Sequence, residues 1–197
     1  MITDTQIILF FFLIIVILFL VWRESQYQDL TKYRSSFDNK EYVVRERTNK
    51  KKAANLLAKL RHKLVTFVNV IYKKYPDNEA IQRLKEKFRP ENITESSSFE
   101  KNTSYSINKG EKIVFCIRQK NKKETIINDN VITFVALHEL AHIMSLSIGH
   151  TEEFWKNFKF LLEEAVLLGI YTYENYTEKP KRYCGMDITN SPLDQDK

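Results

Sequence analysis

One pentapeptide limits what this chain can fold into more than any other feature. His138-Glu139-Leu140-Ala141-His142 lies inside an apolar run over residues 131–147. On a helix, positions i and i+4 share a face, so His138 and His142 present both imidazoles to one ion. Glu139 lies beside them, within reach of water activated by that ion. The chain has four histidines, and three of them, His138, His142 and His150, fall in this short window. That pattern is the core of a zinc-dependent hydrolytic site, with one Zn2+ per chain as the expected cofactor.

Asn128-Asp129-Asn130 carries helix-starting side chains, which predicts a helix from Val131 to about Ser147. Phe134, Leu137, Ala141, Met144 and Ile148 form a core-facing stripe at spacings of three and four. Val131, Val135, His138, His142 and Ser145 form its neighbour. Catalytic zinc keeps three protein ligands and an open position, so the third ligand comes from outside this helix. Gly149 is the expected helix terminator, and His150 follows directly, where the chain can turn back under the ion. Glu163 and Glu164 in the next helix are the alternatives. That helix is expected from Thr151 to Leu168, burying Phe154, Phe158, Leu161, Ala165 and Leu168. Glu139 is then the general base. Tyr183 and Tyr173 are candidate donors to a developing oxyanion.

Residues 7–22 are sixteen apolar residues without interruption. With Thr5, Gln6 and the stem of Arg23 they are long enough to cross a bilayer as one helix. No basic residue precedes them and no A-x-A pattern follows, which argues against a cleaved signal peptide. Arg23, Lys32, Arg34 and Lys40 follow the span. The positive-inside rule therefore puts the N-terminus outside and the rest of the chain in the cytosol or an equivalent interior. The sequons at Asn92, Asn102 and Asn175 are discounted in a chain rich in Asn, Ser and Thr.

The anchor takes residues 1–23, and the rest divides into a basic juxtamembrane linker over 24–52 with strand-like Tyr42-Val43-Val44, a domain over 53–193 and a polar tail over 194–197. Leu57, Leu60, Leu64, Phe67 and Ile71 predict a long helix over 53–75. Ile81, Leu84 and Phe88 predict a short second one. Residues 92–108 read as loop or irregular strand, and 112–118 as a strand. His62 reads as a surface histidine. The net charge of +6 is too small to name a partner. The basic segment 45–63 reads first as a solvated helix face, with anionic lipid or nucleic acid as weaker alternatives. Cys116 and Cys184 are too few for a disulfide framework; two free thiols in a reducing compartment are the expectation, one bridge the alternative.

The stretch from Ser104 to Trp155 resembles the WLM family of minimal zinc metallopeptidases, relatives of the SprT/Spartan proteases. The residues that carry the likeness are 104–113 (SYSINKGEKI), the strand 114–118, the His138–His142 motif, and His150 followed by Phe154 and Trp155. A weaker likeness reaches back to Ala53 and forward to Leu193. The resemblance implies an α+β, zincin-like domain with a small sheet packed on the motif helix; the apolar run over 7–22 adds a single transmembrane helix before it. The resemblance assigns His138, His142 and His150 as ligands, Glu139 as the catalytic residue, and a protein or peptide as substrate. In some members the substrate is protein crosslinked to DNA, which is not carried over to a membrane-anchored chain. The alternative is an inactive zinc-binding module that contacts protein or DNA at a membrane.

Overall fold

The computed structural model describes residues 3–25, 29–121 and 123–196. It is a mixed α and β protein with small sheets. Helix α1, Asp4–Ser25, is 22 residues long and buries no side chain. At about 1.5 Å per residue it extends roughly 33 Å, against a hydrocarbon core of about 30 Å. Among the described residues it is the one helix long and apolar enough to cross a membrane.

Of the segment expected as a linker over 24–52, residues 26–28 lie outside the described residues, and residues 29–52 are built into the fold. Strands β1 (Leu30–Arg34) and β2 (Glu41–Arg45) form an antiparallel hairpin. Tyr42 and Val44 point into the core, following the period-two alternation of a half-buried strand. The Asp29 carboxylate accepts from Ser97 Oγ at 2.9 Å and Ser98 N at 2.8 Å, which ties the hairpin's start to the domain.

A buried charge cluster sits beneath this hairpin. Glu95 Oε1 accepts from Arg45 Nε at 3.0 Å and Arg118 Nε at 2.6 Å. Glu124 pairs with Arg45 at 2.9 Å and Arg47 at 2.7 Å. Removing one partner of a buried pair strands the others without compensation. Glu95→Ala is therefore expected to destabilise the fold by about 3–5 kcal/mol, read as a lower denaturant midpoint. A loss below about 0.5 kcal/mol, typical of a surface substitution, would contradict it.

Helix α2 (Lys50–Lys74) buries the predicted Leu57, Leu60, Leu64, Phe67 and Ile71. Helix α3 (Glu79–Lys87) starts at Asn78, whose side chain accepts from the amides of Ala80 and Ile81. Strands β3 (Ile93–Glu95), β4 (Ser104–Ile107) and β5 (Lys112–Phe115) form a sheet in the order β3-β5-β4. β3 runs parallel to β5, and β4 antiparallel. The strand expected over 112–118 stops at Phe115; beyond it Arg118 makes only an isolated bridge to Ile126. β4 pairs with β5 on one side and packs against the motif helix.

Helix α4 (Asp129–Met144) carries the motif and is capped by Asn128, which accepts from Asn130 N. Phe134, Leu137, Ala141 and Met144 are buried, but Ile148 is 89% exposed. The helix ends before Ser145, so Ile148 and Gly149 lie in a loop beyond it. Helix α5 (Glu152–Leu167) follows the Thr151 cap and buries Phe154, Phe158, Leu161 and Ala165. Leu168, expected inside, is 40% exposed.

Strands β6 (Lys181–Tyr183) and β7 (Met186–Ile188) form a second hairpin. Its two-residue turn, Cys184-Gly185, has positive φ at both positions, 48° and 94°, the geometry that matches strand twist in tight hairpins. The turn lies beside the end of β5, and Cys184 is disulfide-bonded to Cys116. This corrects the expectation of two free thiols and removes the inference of a reducing compartment drawn from them. A separation of 68 residues hid a proximity that only the folding of β6–β7 onto β5 creates. The expected tail is also part of the fold at its start. Asp194 accepts from Tyr173 Oη at 3.0 Å, Thr177 Oγ1 at 3.1 Å and Ser191 N at 2.8 Å.

Candidate metal centre

α4 displays His138 and His142 one turn apart, and the loop after it brings His150 to them. The Nε2 atoms of His138 and His142 are 3.2 Å apart, and those of His138 and His150 are 3.1 Å apart. Ligand atoms of all three lie within 4.8 Å of one another. Tetrahedral zinc with Zn–N bonds of about 2.0–2.1 Å places ligand nitrogens about 3.3 Å apart. The three imidazoles fit such an ion. Glu163 is exposed on α5. Glu164 is engaged elsewhere, bonded to Lys74 Nζ at 2.9 Å and Tyr75 Oη at 2.7 Å. Neither alternative third ligand is in the cluster.

The environment favours the ligating, neutral form of histidine. Burial, then the charges of His142 and His150, lowers His138 to about 3. Burial, then His150 and Lys109, lowers His142 to about 4. Phe154 braces all three rings. It stacks on His142 at 4.3 Å between centroids and meets His138 at 4.8 Å and His150 at 4.7 Å edge-on. Its fully buried position follows from its place in the first turn of α5. The sequence marked Phe154 as core, with no sign that its ring faces the three histidines.

Glu139 is 4% exposed. Burial raises its carboxyl to about 7, opposed by a hydrogen bond from the Ser106 backbone N–H of β4. The histidines and Glu139 open into one cleft of about 630 Å3. Ser104, Tyr105 and Ser106 of β4 form one wall. Phe134, Val135, Trp155 and Phe158 form an apolar side, faced by Tyr183, Met186 and Ile188. Of the two tyrosines expected near an oxyanion, Tyr183 lines the cleft, with its hydroxyl 2.5 Å from Ser104 Oγ. Burial pushes that phenol well above its ordinary value. Tyr173 bonds Asp194 instead and is not part of the cleft wall.

The basic segment 45–63 is largely neutralised within the fold. Arg45 is buried against Glu95, Arg47 pairs with Glu124, Lys50 with Glu46, and Lys63 with Asp129. Lys51, Lys52 and Lys59 project from α2 into solvent.

Comparison with known proteins places this arrangement in a family. The chain is 31% identical over 191 residues to the uncharacterized protein R325 of Acanthamoeba polyphaga mimivirus, a match covering 91% of this chain and 92% of that protein. It is 40% identical over 84 residues to the uncharacterized protein 136R of Invertebrate iridescent virus 6, covering 41% of this chain and 44% of that one. The crystal structure of Wss1 from Saccharomyces cerevisiae superposes with a TM-score of 0.47 at 22% identity, over 62% of this chain and 83% of that chain. The WLM domain matches residues 37–197, including the hairpin strand β2, the sheet and all three histidines. This chain belongs to the WLM-domain family.

Proposed function

We propose that the protein is a membrane-anchored, zinc-dependent endopeptidase with a zincin-like domain. The observation that carries this reading is the convergence of three imidazoles and a buried glutamate on one cleft. Membership of a family associated with metallopeptidase activity supports it.

His138, His142 and His150 would hold the ion. When bound, zinc supplies Lewis acidity, polarising a peptide carbonyl and acidifying water. Glu139 takes a proton from water on its carboxylate and returns it to the leaving amine. The Ser106 N–H fixes the orientation of that carboxylate. β4 offers its outer edge to an extended peptide, by the strand addition common to peptide-binding sites. The apolar side of the cleft accepts an apolar side chain beside the scissile bond. The Tyr183 hydroxyl is the donor best placed for the oxyanion.

In this reading α1 anchors the chain through residues 7–22, with the domain on the cytosolic or equivalent inner side. The flanking basic residues favour that orientation; the Cys116–Cys184 bridge is more typical of oxidising compartments. We give the flanking charge precedence because it acts on insertion itself, whereas the bridge is buried in the finished fold. A protein- or DNA-binding module without activity would draw on Lys51, Lys52 and Lys59. Glu139 argues against it, because holding zinc does not require a buried carboxylate that is costly to ionise.

The test is metal content and cleavage of an unfolded protein, such as casein, by the full chain in detergent micelles. About one zinc per chain is expected, with cleavage lost on chelation and regained when zinc is restored. A chain that binds no zinc would remove the reading.

A further inference from the structure

The third histidine stands six residues beyond the end of α4; Phe154 and Trp155 lie against its ring, but the apolar side chains of the loop before it do not anchor that loop. Leu146 is 70% exposed and Ile148 89%. Gly149 has φ of +82°, and a Cβ there would meet nothing within 4 Å. Ser147 Oγ and Thr151 Oγ1 are 2.6 Å apart and Asn157 donates to Ser145 Oγ at 2.9 Å, but the loop's backbone is held by charged side chains from three other elements. Lys109 Nζ donates to the carbonyls of His142 at 3.3 Å, Ser145 at 2.9 Å and Ser147. Arg83 of α3 donates to Met144 O. Glu153 of α5 accepts from Leu146 N at 2.8 Å, Ser147 N at 2.9 Å and Ser147 Oγ at 2.7 Å.

The fold delivers Lys109 to this place at a conformational cost. It lies in the β4–β5 turn, where Asn108, Lys109 and Gly110 have φ of 48°, 54° and 109°. A left-handed conformation is unfavourable for a residue that carries a Cβ. A Cβ at Gly110 would meet Lys87 O at 2.8 Å and Ile143 side-chain atoms at 3.1 Å, so this glycine lets the turn press onto α3 and α4. A cation at a helix C-terminus meets carbonyls that have no partner in the helix. Charge-assisted bonds of this kind are about twice as strong as neutral ones.

We propose that Lys109 and Glu153 are positioning residues forming an ionic clamp on the 145–149 loop, and that the clamp sets where His150 stands and so how tightly the site holds its metal. The inference rests on the metal reading given under Proposed function. Lys109 grips the loop's carbonyls and Glu153 its amides, so the two act on the same few peptide units from opposite sides.

The experiment measures the zinc dissociation constant of the full chain in micelles by competition with a chromophoric chelator. Lys109→Met and Glu153→Gln are expected to weaken zinc about 10–100-fold, the range seen when groups that orient metal ligands are removed. Lys109→Arg is expected to recover most of that loss. In a His150→Ala background, Lys109→Met is expected to change zinc affinity little, because the clamp acts through His150. An equal loss in both backgrounds would mean that Lys109 is merely structural, and an unchanged constant in the single variants would overturn the clamp. Amide exchange of the metal-free chain is the second readout. The Leu146 and Ser147 amides should exchange faster in the clamp variants, with Leu137 and Leu140 unchanged. If the unaltered chain binds no zinc, the metal reading fails on its own account. Unchanged exchange at Leu146 and Ser147 would overturn the clamp even then.

Discussion

Replacing Glu139 by glutamine is expected to leave zinc bound at the level of the unaltered chain and to lower peptide hydrolysis by on the order of 10²–10⁴-fold. The amide oxygen can still accept from the Ser106 N–H, so the side chain keeps its place. It has no group basic enough to take a proton from water. Initial rates on casein, beside metal content, read the result; undiminished cleavage would remove Glu139 from the mechanism. The same variant has a signature independent of catalysis. In the metal-free chain burial holds the carboxyl at about 7, against an ordinary 4.5. Between those values the folded chain keeps a proton that the unfolded chain gives up. Stability therefore falls as pH rises across this window, and the penalty is complete above it. Glutamine does not ionise and escapes the penalty. Metal-free Glu139→Gln should gain stability relative to the unaltered chain by on the order of 1–3 kcal/mol between about pH 4.5 and pH 8. Thermal denaturation at both pH values reads that gain. An identical difference at the two values would show that the carboxyl is not desolvated.

The second large effect is expected at His150. Its replacement by alanine removes one of the three proposed ligands and should weaken zinc beyond the roughly 10–100-fold caused by losing a group that merely orients a ligand. Hydrolysis should fall with it at limiting zinc. Glu163→Ala should leave zinc affinity unchanged, because that side chain is exposed on α5 and takes no part in the cluster. Glu164→Ala should lower stability instead, since Lys74 and Tyr75 lose their shared carboxylate. Zinc retained in His150→Ala would show that the third ligand lies elsewhere.

Some of this was legible residue by residue. The spacing of Leu57, Leu60, Leu64, Phe67 and Ile71 announced α2, and all five are buried. The four-residue interval between His138 and His142 announced a shared helical face, and their Nε2 atoms meet. Local periodicity is enough for such features because the backbone alone sets which side chains share a face. Of the hairpin, strand-like Tyr42-Val43-Val44 announced β2, but its pairing with β1 was missed because the alternation spans only a few residues among charges. Arg45 looked like one basic residue in a charged run, yet it is buried against Glu95, fifty residues away. The α4 terminus was placed too late because Gly149 looked like its stop. The side chains that fix the real end, Lys109 and Glu153, come from a turn before the helix and a helix after it.

Residue type at short intervals was sufficient to set His138 and His142 on one helical face, and for the apolar N-terminal helix and the main amphipathic helices. Over such intervals backbone geometry leaves little freedom. Tertiary packing alone joins Cys116 to Cys184, turns Phe154 toward all three histidines and brings Ser106 N–H to Glu139. It also brings His150, in a loop whose own Leu146 and Ile148 are exposed, beside His138 and His142, with Lys109 and Glu153 bonded to that loop. These contacts join segments whose separation in sequence carries no period. They exist only once burial of the core has brought β4, β5, α4, α5 and the β6–β7 hairpin together.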